Sequence, residues 1–368
     1  MKFLALSLVA VTLLSPTANA DEAARAKRDA KSLRDMTNRA VAFLQSQGQA
    51  EDGSFSKESG IGITALVATA MMKNGVSPDH PSVAKALDFL KQFTQPTGGI
   101  HQPETRYRNY ETSLAILCFA EANANGSYDE LLAKADLFVK GIQWTEEEGA
   151  KPADTAFGGS GYGKHGRPDL SNTSFFIEAL KATGNDADSE ALQRALTFVS
   201  RCQNLESEHN TTEFADKIDD GGFYYTPAAG GTSQAGTADN GGLRSYASMT
   251  YAGLKSMIYA GVGPGDQRVT AAVDWIKQNY DLSSNPGMGD AGHYYYLHTF
   301  AKALDAIGID ELEDEKGRVH KWRSELITEL VRRQKKDGSW INKNSRWLEG
   351  DPNLVSGYAL LAVAYCRK

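Results

Sequence analysis

The sequence predicts an all-α fold in which six helical hairpins close into a ring, one helix of each hairpin inside and the other outside. Three observations predict it. Six related glycine turns recur, at Asp52-Gly-Ser-Phe55, Gly98-Gly-Ile100, Gly158-Gly-Ser-Gly-Tyr162, Asp220-Gly-Gly-Phe223, Gly287-Met-Gly289 and Asp337-Gly-Ser-Trp340, spaced by 46 to 67 residues when Gly53, Gly99, Gly161, Gly222, Gly289 and Gly338 serve as markers. Segments before the turns are amphipathic at helical spacing, whereas segments after them are apolar nearly all round. No strand-like run separates the two kinds.

Taken in chain order, the first twenty residues, MKFLALSLVAVTLLSPTANA, carry Lys2, an apolar run from Phe3 to Leu14 and Ala18-Asn-Ala20 before Asp21. That is the pattern of a secretory leader, too short for a membrane span. The expected product is an exported protein, periplasmic or extracellular, and residues 21–368 are expected to form one domain. The stretches from Pro81 to Gln92 and from Ala191 to Arg201 read as outer helices. Those from Ile61 to Met72, Ser174 to Leu180, Ser248 to Met257 and Leu354 to Ala364 read as inner helices. Gly75, Gly126, Gly184, Gly261 and Gly308 each follow an apolar segment where a left-handed C-cap is expected. An open solenoid would need polar faces on its terminal units. The last segment, Leu354 to Ala364, is strongly apolar, which favours ring closure.

A net charge of -7 with no Lys/Arg run argues against nucleic acid or an anionic membrane surface as partner. Three scattered cysteines, Cys118, Cys202 and Cys366, are too few for a disulfide framework, and Cys118 sits in an apolar run. No phosphate loop, nucleophile elbow or metalloprotease motif is present, and no cofactor is expected.

At the turns the residues carry a resemblance. Gln334-Lys-Lys-Asp-Gly-Ser-Trp340 is similar to the repeat of squalene and oxidosqualene cyclases, and Gln47 through Phe55 and Gln203 through Phe223 are looser copies. The pattern also resembles the β subunits of protein prenyltransferases. The resemblance implies an (α/α)6 toroid with a ligand cavity at the end of the ring where the glycine turns sit. The motif also has a structural rationale. Its Gln can bond loop backbone, its Asp-Gly turn needs positive φ, and its aromatic ring can wedge between hairpins.

Two stretches are candidates for chemistry. Asp169-Leu-Ser-Asn-Thr173 resembles the cyclase acid motif Asp-x-Asp-Asp-Thr, with Ser171 and Asn172 in place of two acids. Asp169 is the candidate catalytic acid, and helix capping is its favoured alternative, since a carboxylate at a helix N-terminus is held as the anion. Tyr296-Leu-His-Thr299 resembles the run that supplies a zinc histidine in prenyltransferases, but Leu243-Arg-Ser-Tyr246 stands where the partner Asp and Cys would lie. His293 and His298 are about 140° apart around a helix and make no ready chelate, so no metal is expected.

The aromatics gathered at the starts of inner helices predict an aromatic-walled cavity, with Tyr110, Phe175, Phe223, Tyr246, Tyr294, His293 and His298 as candidate liners. Such a cavity suits a small apolar or isoprenoid ligand, whose cationic intermediates π faces would stabilise. A non-catalytic toroid binding a periplasmic protein or glycan is one alternative, and a carbohydrate-active enzyme with a carboxylate pair is another. The insert from Thr226 to Gly242, rich in Gly, Ala, Ser and Thr, is expected to be mobile; a solvent-exposed insertion is its favoured reading, and a lid, with Arg244 meeting an anionic head group, is the functional one.

Overall fold

A computed structural model of the protein describes residues 16–367; the expected leader lies mostly outside the described residues, and residues 16–20 begin the first helix. The chain runs α1 (Pro16–Phe43), α2 (Gly62–Lys73), α3 (Pro81–Lys91), α4 (Arg108–Glu121), α5 (Asp129–Lys140), α6 (Leu170–Ala182), α7 (Glu190–Arg201), a single turn α8 (Ala215–Ile218), α9 (Ala247–Tyr259), α10 (Gln267–Gln278) and α11 (His293–Ile307). A two-stranded antiparallel hairpin, β1 (Leu312–Glu313) and β2 (Val319–His320), precedes α12 (Trp322–Arg333) and α13 (Pro352–Ala364). This hairpin departs from the expectation of a strand-free chain, because strands of two residues are too short to show a period.

The helices form two concentric rings. Going round, α2, α4, α6, α9, α11 and α13 each pack on the next, and α13 packs back on α2. Outside them α1, α3, α5, α7, α10 and α12 cover the inner ring, and α1 contacts both α12 and α13. The chain therefore has the closed α/α-toroid fold. The two helices approach closely where the ring closes: a Cβ at Gly357 of α13 would lie 2.4 Å from Leu66 Cδ2 of α2. The five expected C-cap glycines all have positive φ.

A repeated clamp explains why this sequence makes this ring. In each of four units a glutamine amide after the outer helix donates to the glycine turn of its own unit and to a carbonyl of the next outer helix, at its start in three of the four. Gln49 spans Gly53 O and Ser82 O, Gln143 spans Gly158 O and Ala191 O, and Gln203 spans Gly221 O and Arg268 O. Gln334 spans Gly338 O and Met36 O, so the last hairpin is fastened to the first by the same device. Gln95 departs from it and bonds Phe93 O and His101 O within its own turn. The positive-φ glycine is pressed on the backbone of the next outer helix. At Gly158 (φ 80°) a Cβ would lie 1.8 Å from Arg194 O, and the same carbonyl contact is made at Gly53, Gly98, Gly221 and Gly338. Where two glycines are adjacent the first takes this conformation, so Gly98 and Gly221 do so rather than the markers Gly99 and Gly222.

The inner helix completes the clamp with a hydroxyl. Thr64 accepts from Phe55 N (2.9 Å), Thr112 from Ile100 N (3.1 Å), Thr173 from Ser160 N (3.0 Å), Thr250 from Phe223 N (3.0 Å) and Ser356 from Trp340 N (3.1 Å). Thr173 thus belongs to the repeat, and its match to the last position of the acid motif has a structural cause.

Candidate functional site

The first turns of all six inner helices surround a cavity of about 730 Å³ at the glycine-turn end of the ring. Seven tyrosines line it, Tyr107, Tyr110, Tyr162, Tyr225, Tyr246, Tyr295 and Tyr358, together with Phe175, Met249, Leu354 and Trp347. The rings form a continuous belt: Tyr110 meets Phe175 edge-on at 5.4 Å, Phe175 lies 6.2 Å from Tyr295, and Tyr295 meets Tyr358 edge-on at 5.7 Å. Burial pushes the Tyr110 hydroxyl up to about 12 and raises those of Tyr246, Tyr295 and Tyr358, so these tyrosines are neutral at physiological pH. Among the described residues no lysine or arginine lines this cavity.

Four acids line the wall, Glu58, Glu104, Glu111 and Glu349, and the last two are held by hydrogen bonds. Glu349 accepts from Tyr295 N (2.8 Å) and the Asn342 amide (2.6 Å), capping α11, where Gly292 offers no side chain. Glu111 accepts from Gln102 N (2.9 Å). Burial raises the carboxyls of both.

Beside the cavity, sharing Tyr107, Tyr162 and Tyr225 with it, runs a groove lined by Arg106, Arg108, Lys164, His165 and Arg167 against Glu104 and Asp169. Lys164 is paired with Glu148 (3.2 Å). Arg106, Arg108 and Arg167 bond neutral oxygens, the Tyr107 hydroxyl (2.7 Å), Thr105 O (3.2 Å) and Thr232 Oγ1 (3.0 Å).

Asp169 is the N-cap of α6. It accepts from Asn172 N (2.9 Å) and the Asn172 side-chain amide (2.7 Å) and meets the Tyr225 hydroxyl. These bonds favour the anion, yet burial outweighs them and pushes the carboxyl up to about 6. The capping expected of Asp169 is present, and burial, at 2% exposure, acts on its acidity in the opposite direction to the cap.

The sequence-based candidates divide. Tyr110, Phe175 and Tyr246 line the cavity. Phe223 does not: its ring wedges under Gly253 of α9, where a Cβ would lie 2.4 Å from it, so it serves the repeat clamp. Tyr294 turns outward to Arg333, and the neighbouring Tyr295 takes the place at the wall. His293 is buried with Nε2 on Leu282 O (3.0 Å), and burial holds it down at about 4. His298, one turn below Tyr295, faces a second cavity at the other end of the ring. Arg244 is exposed and lines neither cavity. Among the described residues no three His, Cys, Asp or Glu converge as a metal site. All three cysteines are free and buried.

The Thr226–Gly242 insert is tied down rather than loose. Thr226 Oγ1 donates to Pro168 O (2.7 Å), Thr226 pairs with Thr232, and Asn240 donates to Lys217 O (2.6 Å). It does reach the mouth, where Gln234 lines the cavity and accepts from Arg346 (2.6 Å). Beyond Arg346, Trp347 (φ 55°) and Leu348 (φ 65°) are consecutive non-glycine residues in left-handed backbone, 43% and 49% exposed. Strain of this kind persists where surrounding structure enforces it, often at a ligand clamp.

No protein-family model and no curated protein matches this sequence. Solved structures do. A variant of the type II terpene cyclase MstE from Scytonema, in complex with its substrate geranylgeranyl dihydroxybenzoate, aligns with a TM-score of 0.56 at 14% identity, over 92% of this chain and 99% of that one. A glycosyl hydrolase family 88 protein from Bacteroides vulgatus aligns at 0.54 and 12% identity, over 91% and 98%. Both likenesses are of fold: the chain is an α/α toroid of the architecture these proteins share.

Proposed function

We propose that this protein is an exported toroid that binds an amphipathic, isoprenoid-like ligand, its apolar body in the tyrosine-walled cavity and an anionic head group on Arg106, Arg108 and Arg167. The observation that carries this reading is a tyrosine-rich cavity joined side by side to a groove in which Arg106, Arg108, Lys164 and Arg167 outnumber Glu104 and Asp169. Aromatic faces favour an unsaturated chain, and guanidiniums favour a carboxylate or phosphate. The role expected of Arg244 passes to these three arginines. The ligand named for the MstE complex, a terpenoid chain on an aromatic acid, has the same division of character, and that fact supports the reading without establishing it.

Binding rather than cyclisation is the activity proposed. A carboxyl near 6 is a weaker acid than a free one, and protonating an alkene needs a stronger acid. Nor do Glu111 and Glu349 supply a free carboxylate pair for glycoside hydrolysis, since both are engaged by backbone N–H groups. Calorimetric titration with farnesyl phosphate, farnesol and cellohexaose tests the proposal. Farnesyl phosphate should bind at least tenfold more tightly than farnesol, and the hexasaccharide should give no heat. Saccharide binding without isoprenoid binding would sink it.

A further inference from the structure

The opposite end of the ring holds a second cavity, of about 370 Å³, lined by the C-terminal halves of the inner helices and separated from the first by Phe175, which borders both. Its chemistry is different. Glu178 is 2% exposed and accepts from two ammoniums, Lys255 through Oε1 and Lys302 through Oε2. Both lysines are themselves buried, with side chains 2% and 10% exposed. Two cations against one carboxylate leave a buried excess of one positive charge. Nearer the rim Lys73 and Glu121 neutralise one another at 2.6 Å, while Lys181 bonds the Asn185 carbonyl (3.0 Å) and so adds to the excess. Three ammoniums (Lys73, Lys181, Lys302) and two carboxylates (Glu121, Glu178) line the cavity, and Lys255, on Glu178 but outside the lining, makes the count four to two.

A buried charge is retained in a fold when something compensates it, since removing an ion from water is costly unless it is paired. A second observation concerns the same wall. His298 lines the cavity at 4% exposure, and its Nδ1 is buried without a partner. Leu66, Leu114, Leu117 and Leu361 give the wall an apolar face, while Tyr259 and Tyr365 lie beside Lys302 and Thr69 completes the polar part. We propose that this second cavity is a binding site for a small monocarboxylate with a short apolar tail, the carboxylate held by Lys302 and Lys181 and the tail lying on the leucines. The anion supplies the missing negative charge, and His298 offers it a further polar contact. A volume of about 370 Å³ lies near the lower end for ligand sites of about 300–1,000 Å³, so the ligand is a compact one. The site is separate from the tyrosine cavity and stands whether or not that cavity holds an isoprenoid.

The test is calorimetric titration of the full-length protein with hexanoate, hexan-1-ol and inorganic phosphate. Hexanoate should bind, and hexanol and phosphate should each bind at least tenfold more weakly, the first lacking the charge and the second the tail. Lys302→Met leaves Glu178 and Lys255 as a balanced pair, so the variant should fold while losing hexanoate affinity tenfold or more. Lys181→Gln, at the rim, should weaken hexanoate about threefold and decides the matter alone if the first variant does not fold. The Arg106→Ala, Arg167→Ala double variant should bind hexanoate as the parent does. Absence of hexanoate binding, equal affinity in the lysine variants and the parent, phosphate binding as tightly as hexanoate, or loss of hexanoate in the arginine variant would each overturn the proposal.

Discussion

Replacing Gln203 by alanine isolates the clamp that joins one hairpin to the next. The side chain is 1% exposed, and its amide donates to Gly221 O and Arg268 O, both at 2.8 Å. Each lost bond removes about 1 kcal/mol, and each carbonyl left buried without a partner costs about 1–3 kcal/mol more. Against this, Gln203 Oε1 is already buried without a partner, so its removal returns about 1 kcal/mol. The net expectation is a loss of about 3–7 kcal/mol, which for a chain of this length corresponds to a Tm lower by about 4–10 °C. Gln95→Ala is the internal control. It also removes two bonds, but both lie within one half-exposed turn where water can replace them, so about 1 kcal/mol is expected. Equilibrium urea denaturation of the two variants and the parent, followed by circular dichroism, reads the difference directly. A cost for Gln95→Ala equal to or above that for Gln203→Ala would refute the claim that the glutamine acts by bridging outer helices.

Further expectations concern the turn, the cap and the ligand. Gly158→Ala would drive a methyl into Arg194 O at 1.8 Å and impose positive φ on alanine, so it should lower Tm well beyond the effect of Gly149→Ala, where φ is also positive and nothing lies within 4 Å; comparable melting of the two would contradict the close-contact account. Asp169 has a folded-state pKa raised from 3.8 to about 6, so its contribution to stability is full below pH 4 and is lost as pH rises through 6. Relative to the parent, Asp169→Asn should therefore gain about 3 kcal/mol between pH 4 and pH 7, read from urea melts at each pH, and a pH-independent difference would show that the carboxyl is not raised. Tyr295→Ala opens the aromatic belt between Phe175 and Tyr358 and should weaken farnesyl phosphate at least tenfold by titration, whereas Tyr294→Ala, one residue along, should leave it within about twofold.

The ring was legible because its clamp is written in side chains that recur: a glutamine, a positive-φ glycine, an aromatic and an inner-helix hydroxyl. Its fifth turn, at Gly287 and Gly289, is the least regular copy, and neither glycine there meets an outer-helix carbonyl. The site was legible only in part. Successive residues of a helix point about 100° apart, so of Tyr294, Tyr295 and Tyr296 one faces the axis, and composition cannot say which. His298 shares the inward face of α11 but sits a turn deeper, and that depth moves it into the other cavity. The order of the Thr226–Gly242 insert was hidden because its anchors are hydrogen bonds to distant backbone, at Pro168 and Lys217. Glu178, Lys255 and Lys302 are charges within largely apolar inner helices, where a charge must find a partner, but the sequence does not show that the three meet.

The most direct test of the central claim is a crystal structure of the protein grown with farnesyl phosphate. The account predicts the isoprenoid chain lying among Tyr110, Phe175, Tyr295 and Tyr358, with the phosphate within hydrogen-bond distance of Arg106, Arg108 or Arg167. An empty tyrosine cavity at saturating ligand, or a chain bound outside the ring, would contradict it.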